Sequence, residues 1–494
     1  MKKLVALLLS LAIVLSLSSF VIAENEVATP LKFIFSTSYT FPDGEDENNN
    51  AYIKAIEEAT NTEIEVTYVP NSDVLSKVTT IIASGDEYDL LKLNCQNNEG
   101  MNTMSRLISE GAVAPLTDAI QRVAPELLDL INPDALPYIS SKGEIYAMPT
   151  YQMPGNQILY IRQDWLDNLG LSMPETLDEA KEVLRMFKED DPDKDGIDDT
   201  IGTVIASAIG NHSGAWFGAF GTQYGIWQED QGSLVYSNVS DKMRNALEWF
   251  HALYEDGLLD ERFTVSATAD IREMVSTGQC GYVVMGWSET RTSIENAVKN
   301  DGAVWAFAPF PVGEDGSNGI AERSLIHTLY FVPATSKNVD KMIEVFAYGA
   351  SAFQDLCYYG AEGEIRQMDE QGKIILKDDM HKKYQYRSEY LPGIDYSRFA
   401  AEETARLADL GEYWHLPETL ALASSAPINN AFNSLPSEDM SKLSSSLSVY
   451  ELEAITEFIT GERDLNEWDT WVDEWYALGG QRLVEIVNEW YNAQ

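Results

Sequence analysis

Cysteine and histidine are scarce in this chain of 494 residues: three of the first, Cys95, Cys280 and Cys357, and five of the second. Three thiols scattered through apolar or mixed stretches make no disulfide framework. The histidines stand singly, without a second histidine or cysteine at metal-ligand spacing, so nothing reads as a zinc-type centre. Bases are also few: Lys and Arg number 34 against 79 Asp and Glu, a formal net charge of −45. Such a chain is repelled by phosphate and by anionic lipid, which excludes nucleic acid and membrane surfaces as partners. The patterns G-x-S-x-G, G-x-G-x-x-G, H-E-x-x-H and the P-loop are missing. His212 next to Ser213 is no substitute, because adjacent side chains do not make a nucleophile–base pair. After residue 22 no run resembles a membrane span.

The one long apolar run is Leu4 to Ile22, preceded by Lys2 and Lys3 and followed by Val21-Ile22-Ala23 and the polar Glu24-Asn25-Glu26. That is the make-up of a signal peptide over residues 1–23; an uncleaved anchor is the alternative reading, since the run is long enough to span a bilayer. Its four serines, three of them in its second half, argue for cleavage. No cysteine lies near the cleavage point, so no thioether-linked lipid is expected. Loss of the two lysines takes the charge from −45 to −47. The remaining roughly 470 residues suffice for two domains with large cores.

Apolar periodicity organises that length. Leu31–Ser36 reads as a strand, Ala51–Thr60 as a helix, Glu63–Val69 as an alternating strand, Val74–Ala83 as a helix and Tyr88–Leu93 as a buried strand. This order predicts an α/β lobe with mostly parallel sheets, whose ligands sit beyond the carboxyl ends of the strands. Lys142–Thr150 reads as a strand interrupted by proline, suited to a crossover. Leu159–Leu169 and Leu177–Phe187 read as helical, Gly281–Met285 and Tyr330–Pro333 as strands. From about Tyr396 the pattern is almost wholly helical. Trp468, Trp471 and Trp475 share one helix face, which is core spacing. Trp227, Trp305 and Trp414 are read as packing residues.

Several blocks resemble the family 1 extracellular solute-binding proteins of ATP-driven importers, whose best-known members bind maltodextrins. They are Ile145-Tyr-Ala-Met-Pro149, Leu159–Leu171 with Pro174-Glu-Thr176, Tyr359–Gly363 with Gly372-Lys-Ile374, and Ile459-Thr-Gly461 with the helices from Trp468 to Tyr491. The resemblance implies a two-lobed periplasmic-binding-protein-like fold of type II with a helical C-terminal region. By analogy the first lobe takes residues 29–148 and 311–352, and the second 149–310 and 353–494. It further implies a monomeric, exported binding component, extracellular or periplasmic, that captures a small-molecule ligand, an oligosaccharide, and delivers it to permease subunits. A secreted polysaccharide-active enzyme and a carbohydrate sensor are the alternatives; 79 acids leave room for a glycosidase carboxylate pair.

Sugar recognition needs aromatic faces and polar side chains in a cleft that excludes water. Trp287 follows the strand Gly281–Met285 where a helix begins, and resembles the strand–tryptophan–helix element with which maltodextrin binders stack on sugar. Trp216, among small residues in Gly214–Gly221, is similar in position to a second cleft aromatic. Tyr39, Asn94 and Gln96 follow the first and third strands, and Tyr151 follows the crossover. Asp191-Pro-Asp-Lys-Asp-Gly-Ile-Asp-Asp199 has the spacing of an EF-hand loop. Asp191, Asp193, Asp195 and Asp199 would offer side-chain oxygens and Ile197 its carbonyl to a structural Ca²⁺. Position twelve is Gly202, where the full motif has a bidentate Glu; the alternative is a solvated acidic turn.

Overall fold

The structure, a computed structural model, describes residues 27–36, 40–95, 98–152, 157–291, 293–368, 370, 374–377, 380, 383–384, 386–387, 390, 394–398, 421 and 426–494. Residues 1–23, expected to be a signal peptide, and Tyr39, Gln96 and Trp414 lie outside the described residues. In chain order the elements that position the site begin with β1 (Thr29–Ser36), α1 (Ala51–Thr60), β2 (Thr62–Val69), α2 (Val74–Ser84), β3 (Leu91–Asn94), β4 (Met148–Tyr151) and β5 (Gln157–Arg162). They continue with α3 (Leu177–Glu189), α4 (Asp241–Glu255), β6 (Tyr282–Gly286), β7 (Trp305–Phe307) and β8 (Ile326–Phe331). The chain closes with α5 (Glu438–Thr460), α6 (Trp468–Trp475) and α7 (Gln481–Tyr491).

Local chemistry sets these boundaries. Asn50 caps α1 by accepting from the Tyr52 and Ile53 N–H groups, and Asn61 ends it at φ 50°. Ile53 and Ile56 are thereby turned onto the core. Thr176 and Glu179 form a reciprocal capping box that starts α3.

Two main cores result. The first gathers Leu31, Phe33 and Phe35 of β1 with α1, α2 and β3, and regains the chain at Ile326–Phe331. The second gathers α3, α4 and the helices α5 to α7 around Leu159, Trp216 and Tyr282. A smaller cluster on Ile158, Tyr160, Met285 and Trp287 sits on the other face of β5 and β6. Phe353, Cys357, Tyr386, Tyr390 and Ile394 pack into the first core, although residues 353–394 were expected in the second. Their rings close on Phe35 and Tyr52, which explains why: Phe35 meets Tyr390 edge-on at 5.1 Å.

The sheets depart from the mostly parallel expectation. β1 and β2 pair in parallel, from Thr29 against Thr62 to Ser36 against Val69, and Phe33 bridges to Leu90 the same way. Elsewhere the long pairs are antiparallel: β8 lies between β3 and β4, and β5 between β6 and β7. The cause is topological. β4 leaves the first core as β8 arrives, so neighbours that carry the chain out and back must oppose each other. A parallel pair instead needs a crossover that stays within one core. A second correction concerns Leu159–Leu169: Leu159–Arg162 is part of β5, and the helix occupies only Gln163–Leu169. A continuous apolar run does not distinguish a strand buried on both faces from a helix.

The C-terminal helices are fixed by one buried carboxylate. Glu451 of α5 is 2% exposed. It accepts from Trp475 Nε1 at 2.6 Å, Asn238 Nδ2 at 2.8 Å and the Tyr236 hydroxyl at 3.0 Å. Tyr236 in turn stacks on Trp475. Burial pushes the Glu451 carboxyl above its usual range, and the three donors oppose that rise. Its raised pKa means that its contribution is fully present below the unfolded value of 4.5 and falls as pH rises through the folded one. Glu451→Ala is expected to cost on the order of 3 kcal/mol in urea unfolding, because three buried donors lose their acceptor. Comparing Glu451→Gln with wild type from pH 4 upward should show a flatter profile in the variant; parallel profiles would refute the ionisation argument.

Candidate functional site at the crossing between the cores

The chain passes between the cores on either side of residues 153–156 and returns through 308–325. β4 ends at Tyr151, and Gln152 then ties the outgoing chain to the returning one. Its Nε2 donates to the carbonyls of Ser324 at 2.8 Å and Ile326 at 3.2 Å, and its backbone N–H donates to Leu325 at 3.1 Å. Tyr151 itself is buried. Its hydroxyl accepts the Asn132 N–H at 3.0 Å, and its ring meets Tyr396 edge-on at 4.9 Å. Asn94 stands exposed at the end of β3, opposite Thr328 of β8. The next residue, Cys95, donates its N–H to the His327 carbonyl at 2.8 Å.

On the side of the second core, β6 runs out at Gly286 and Trp287 opens a 3-10 turn to Arg291. The turn is held firmly. The Gly286 carbonyl accepts the Tyr160 hydroxyl at 3.1 Å, and the Trp287 carbonyl accepts Thr290 Oγ1 at 2.8 Å. Two residues on, buried Glu289 accepts Ser293 Oγ at 2.8 Å and two guanidinium N–H groups of Arg272 at 2.9 and 2.6 Å. Trp287 keeps 7% of its surface exposed. Trp216 does not fit the cleft expectation. It is wholly buried and packs on Trp249 and Tyr282 at 5.6 and 5.1 Å, so it presents no surface to a solute. The small residues around it serve close backbone packing: a Cβ on Gly218 would fall 1.9 Å from the Gly319 carbonyl.

The structure also brings together residues that periodicity never singled out. His212 hydrogen-bonds the Val284 carbonyl of β6 through Nδ1 at 2.8 Å and Thr268 Oγ1 through Nε2 at 3.1 Å. Burial lowers its pKa, with Arg272 and Arg323 acting in the same direction and the Val284 contact and Glu289 opposing. His327, in the irregular step between Ile326 and Thr328, is pushed down to about 4 by burial first, then by Lys92 and Arg323. Both imidazoles are therefore neutral near pH 7. Lys92 is 5% exposed, on the face of β3 that Tyr330 shares. Solitary cations and histidines in unrelated stretches carry no spacing signal, so only the fold could unite them.

The acidic loop lies apart, behind α3. Carboxylate oxygens of Asp191, Asp193 and Asp195 all lie within 4.8 Å of one another. Gly196 at φ 81° lets the chain bend sharply, and its N–H donates to Asp191 Oδ2 at 3.1 Å. Asp191 Oδ1 is buried without a hydrogen-bond partner. Burial, then the neighbouring carboxylates, hold the Asp193 pKa up against the Asp195 N–H that lowers it. Asp199 is exposed and stands outside the converging group, and the Ile197 side chain is 56% exposed. Three crowded oxygens with one unsatisfied lone-pair site suit a hard cation.

The chain is similar along most of its length to known proteins. Lipoprotein LipO of Bacillus subtilis (strain 168) is 26% identical over 460 residues, spanning 89% of this chain and 88% of its own. The polygalacturonan/rhamnogalacturonan-binding protein YtcQ of the same organism is 24% identical, over 88% of this chain and 87% of its own. Among solved structures, the S. pneumoniae ABC-transporter substrate binding protein FusA, as an EF-hand mutant in complex with fructo-nystose, superposes with a TM-score of 0.75 at 18% identity. That superposition covers 94% of this chain and 99% of FusA, and shows that the two share a two-lobed fold. Among the described residues no helix is long and apolar enough to cross a membrane. The model of one family, bacterial extracellular solute-binding protein, matches residues 45–354, and the chain belongs to that family.

Proposed function

We propose that the protein captures an oligosaccharide at the crossing between its two cores and delivers it to the permease of an ATP-driven importer. The observation that carries the reading is the crossing itself. Gln152 zips the outgoing chain to the returning one, and the strand ends bearing Asn94 and Trp287 approach it from opposite cores. Two bodies joined by so few hydrogen-bonded strands are built to close on a solute by a hinge. Membership of a binding-protein family argues for capture without chemistry, and against the polysaccharide-active enzyme. The relatives' names support the solute class: YtcQ is named for binding polygalacturonan and rhamnogalacturonan, and FusA is a transporter substrate-binding protein in complex with fructo-nystose. In this reading the lobes follow the cores, Trp287 supplies an aromatic edge, and Asn94 and Tyr151 flank the solute.

Trp287→Ala tests the site. In a thermal-shift screen of neutral and acidic oligosaccharides, wild type at a hundred times its Kd should gain roughly 2.7 kcal/mol. The variant should fold but bind about thirtyfold more weakly, the loss of about 2 kcal/mol typical of a buried aromatic anchor. Unchanged affinity in a folded variant would remove Trp287 from the site.

The acidic loop is proposed as a structural Ca²⁺ site, held by Asp191, Asp193 and Asp195 with the Ile197 carbonyl and Asp199 completing it. FusA, whose solved structure is that of an EF-hand mutant, supports this by analogy. A cation would relieve the repulsion that raises Asp193 and would occupy the free side of Asp191 Oδ1. Without a bidentate glutamate the affinity should be weak, in the roughly 10⁻⁴–10⁻³ M range. Millimolar Ca²⁺ should then add about 1.4 kcal/mol over EGTA in melting curves, if Kd is near 10⁻⁴ M. Asp195→Ala should erase the difference. Identical wild-type curves with no heat of calcium binding would identify the loop as a solvated acidic turn.

A further inference from the structure

Arg323 sits in the returning segment between Glu322, whose N–H donates to the Ile428 carbonyl, and Ser324, whose carbonyl is held by Gln152. It is partly buried, and no hydrogen bond or ion pair joins it to any described residue. Burial alone acts on its pKa, downward, and no described carboxylate offsets it. The adjacent Glu322 feels burial alone as well, so the two neighbours do not neutralise each other. Arg323 reaches His327 of the first core and His212 of the second, so its charge acts at the junction of both. Lys92 adds a second cation, close enough to act on the same His327. The setting makes this unusual: acids outnumber bases 79 to 34 along the chain, yet the crossing holds two shielded cations.

A partly desolvated guanidinium with no partner is costly to fold around, and arginine cannot escape by losing its proton. Its planar fork matches a carboxylate through two parallel N–H bonds. We propose that the captured solute is anionic, an oligosaccharide bearing hexuronate carboxylates, and that Arg323 receives one of them at the crossing between the cores. The inference rests on the carbohydrate reading above and deepens it. Lys92 draws the same anion toward the first core, and the acidic exterior makes the crossing a local positive well. A neutral sugar offers this guanidinium hydroxyl acceptors but no opposite charge, so a neutral solute would leave its charge uncompensated when the cores close.

The full chain would be titrated by calorimetry with galacturonate and mannuronate trimers, with the same trimers after reduction of their carboxyls to alcohols, and with kestose and maltotriose. An acidic trimer should bind, and its reduced form should bind at least tenfold more weakly. Arg323→Gln should lose at least tenfold for the acidic trimer and no longer distinguish it from the reduced one. The comparison of acidic with reduced trimer uses wild type alone and stands even if the variant fails to fold; Arg323→Lys, which keeps the charge without the fork, should retain part of the preference. Equal binding of acidic and reduced trimers, or binding of kestose or maltotriose alone, would overturn the proposal while the carbohydrate reading stands. A folded Arg323→Gln that keeps the preference would overturn the assignment to Arg323. If no saccharide binds, charged or neutral, the carbohydrate reading fails and this inference with it.

Discussion

The arrangement depends on how one chain serves two cores. Each core buries its own aromatic and aliphatic set, yet β4 and β5 are consecutive strands that belong to different ones. The polar backbone between them must be satisfied locally, since an unpaired group costs about as much as a lost hydrogen bond. Gln152 meets that need by spending its side-chain amide on two returning carbonyls and its backbone N–H on a third. The result fixes the returning segment in register as well as in place. Ile326 is set against Tyr151, and the step that follows puts His327 where its imidazole is shielded beside Thr328. The antiparallel pairing of β8 with β4 and β3 is thus a consequence of chain traffic, not of strand propensity.

That geometry has an electrostatic counterpart. Strong net negative charge keeps a protein soluble and works against compactness, but it says nothing about any one region. At the crossing the balance inverts. Burial and nearby cations hold His212 and His327 neutral, and Arg272 is matched by Glu289, which also takes Ser293. The turn behind Trp287 is therefore rigid and internally satisfied. Arg323 has no such partner among the described residues, and the contrast separates groups that hold the turn from the one proposed to meet the solute. Glu451 in the second core is the opposite case. Three donors already surround that carboxylate, so its burial stabilises helix packing and leaves nothing over for recognition.

Residues whose roles are local were legible in the sequence. The helix Ala51–Thr60 followed from the spacing of Ile53 and Ile56, and Trp468, Trp471 and Trp475 pack as their intervals of three and four require. Leu159–Arg162 misled because an apolar run without alternation fits either a buried strand or a helix. Trp216 misled for a different reason. Small neighbours fit either room for a solute or close packing, and Gly214 and Gly218 serve the second: an added Cβ would meet Gln157 Oε1 at 2.8 Å and the Gly319 carbonyl at 1.9 Å. Arg323, His327, His212 and Lys92 were silent, because their association is made by pairings between distant stretches, Gln152 with Ile326, Lys92 with Tyr330 and His212 with Val284.

The acidic loop shows the same tension between motif and fold. An EF-hand loop ends in a bidentate glutamate at its twelfth position, and here that position is Gly202. A Cβ at Gly202 would lie 2.4 Å from the Leu258 carbonyl and 3.2 Å from that of Leu184, both rigid backbone. Next to it the Thr203 N–H donates to that Leu258 carbonyl at 2.8 Å, so the chain leaves the loop directly into the packing behind α3. No side chain fits there without displacing the backbone against which the second core is built. Close packing is thus incompatible with a glutamate at this position, and the carboxylates that converge in the loop are those of Asp191, Asp193 and Asp195.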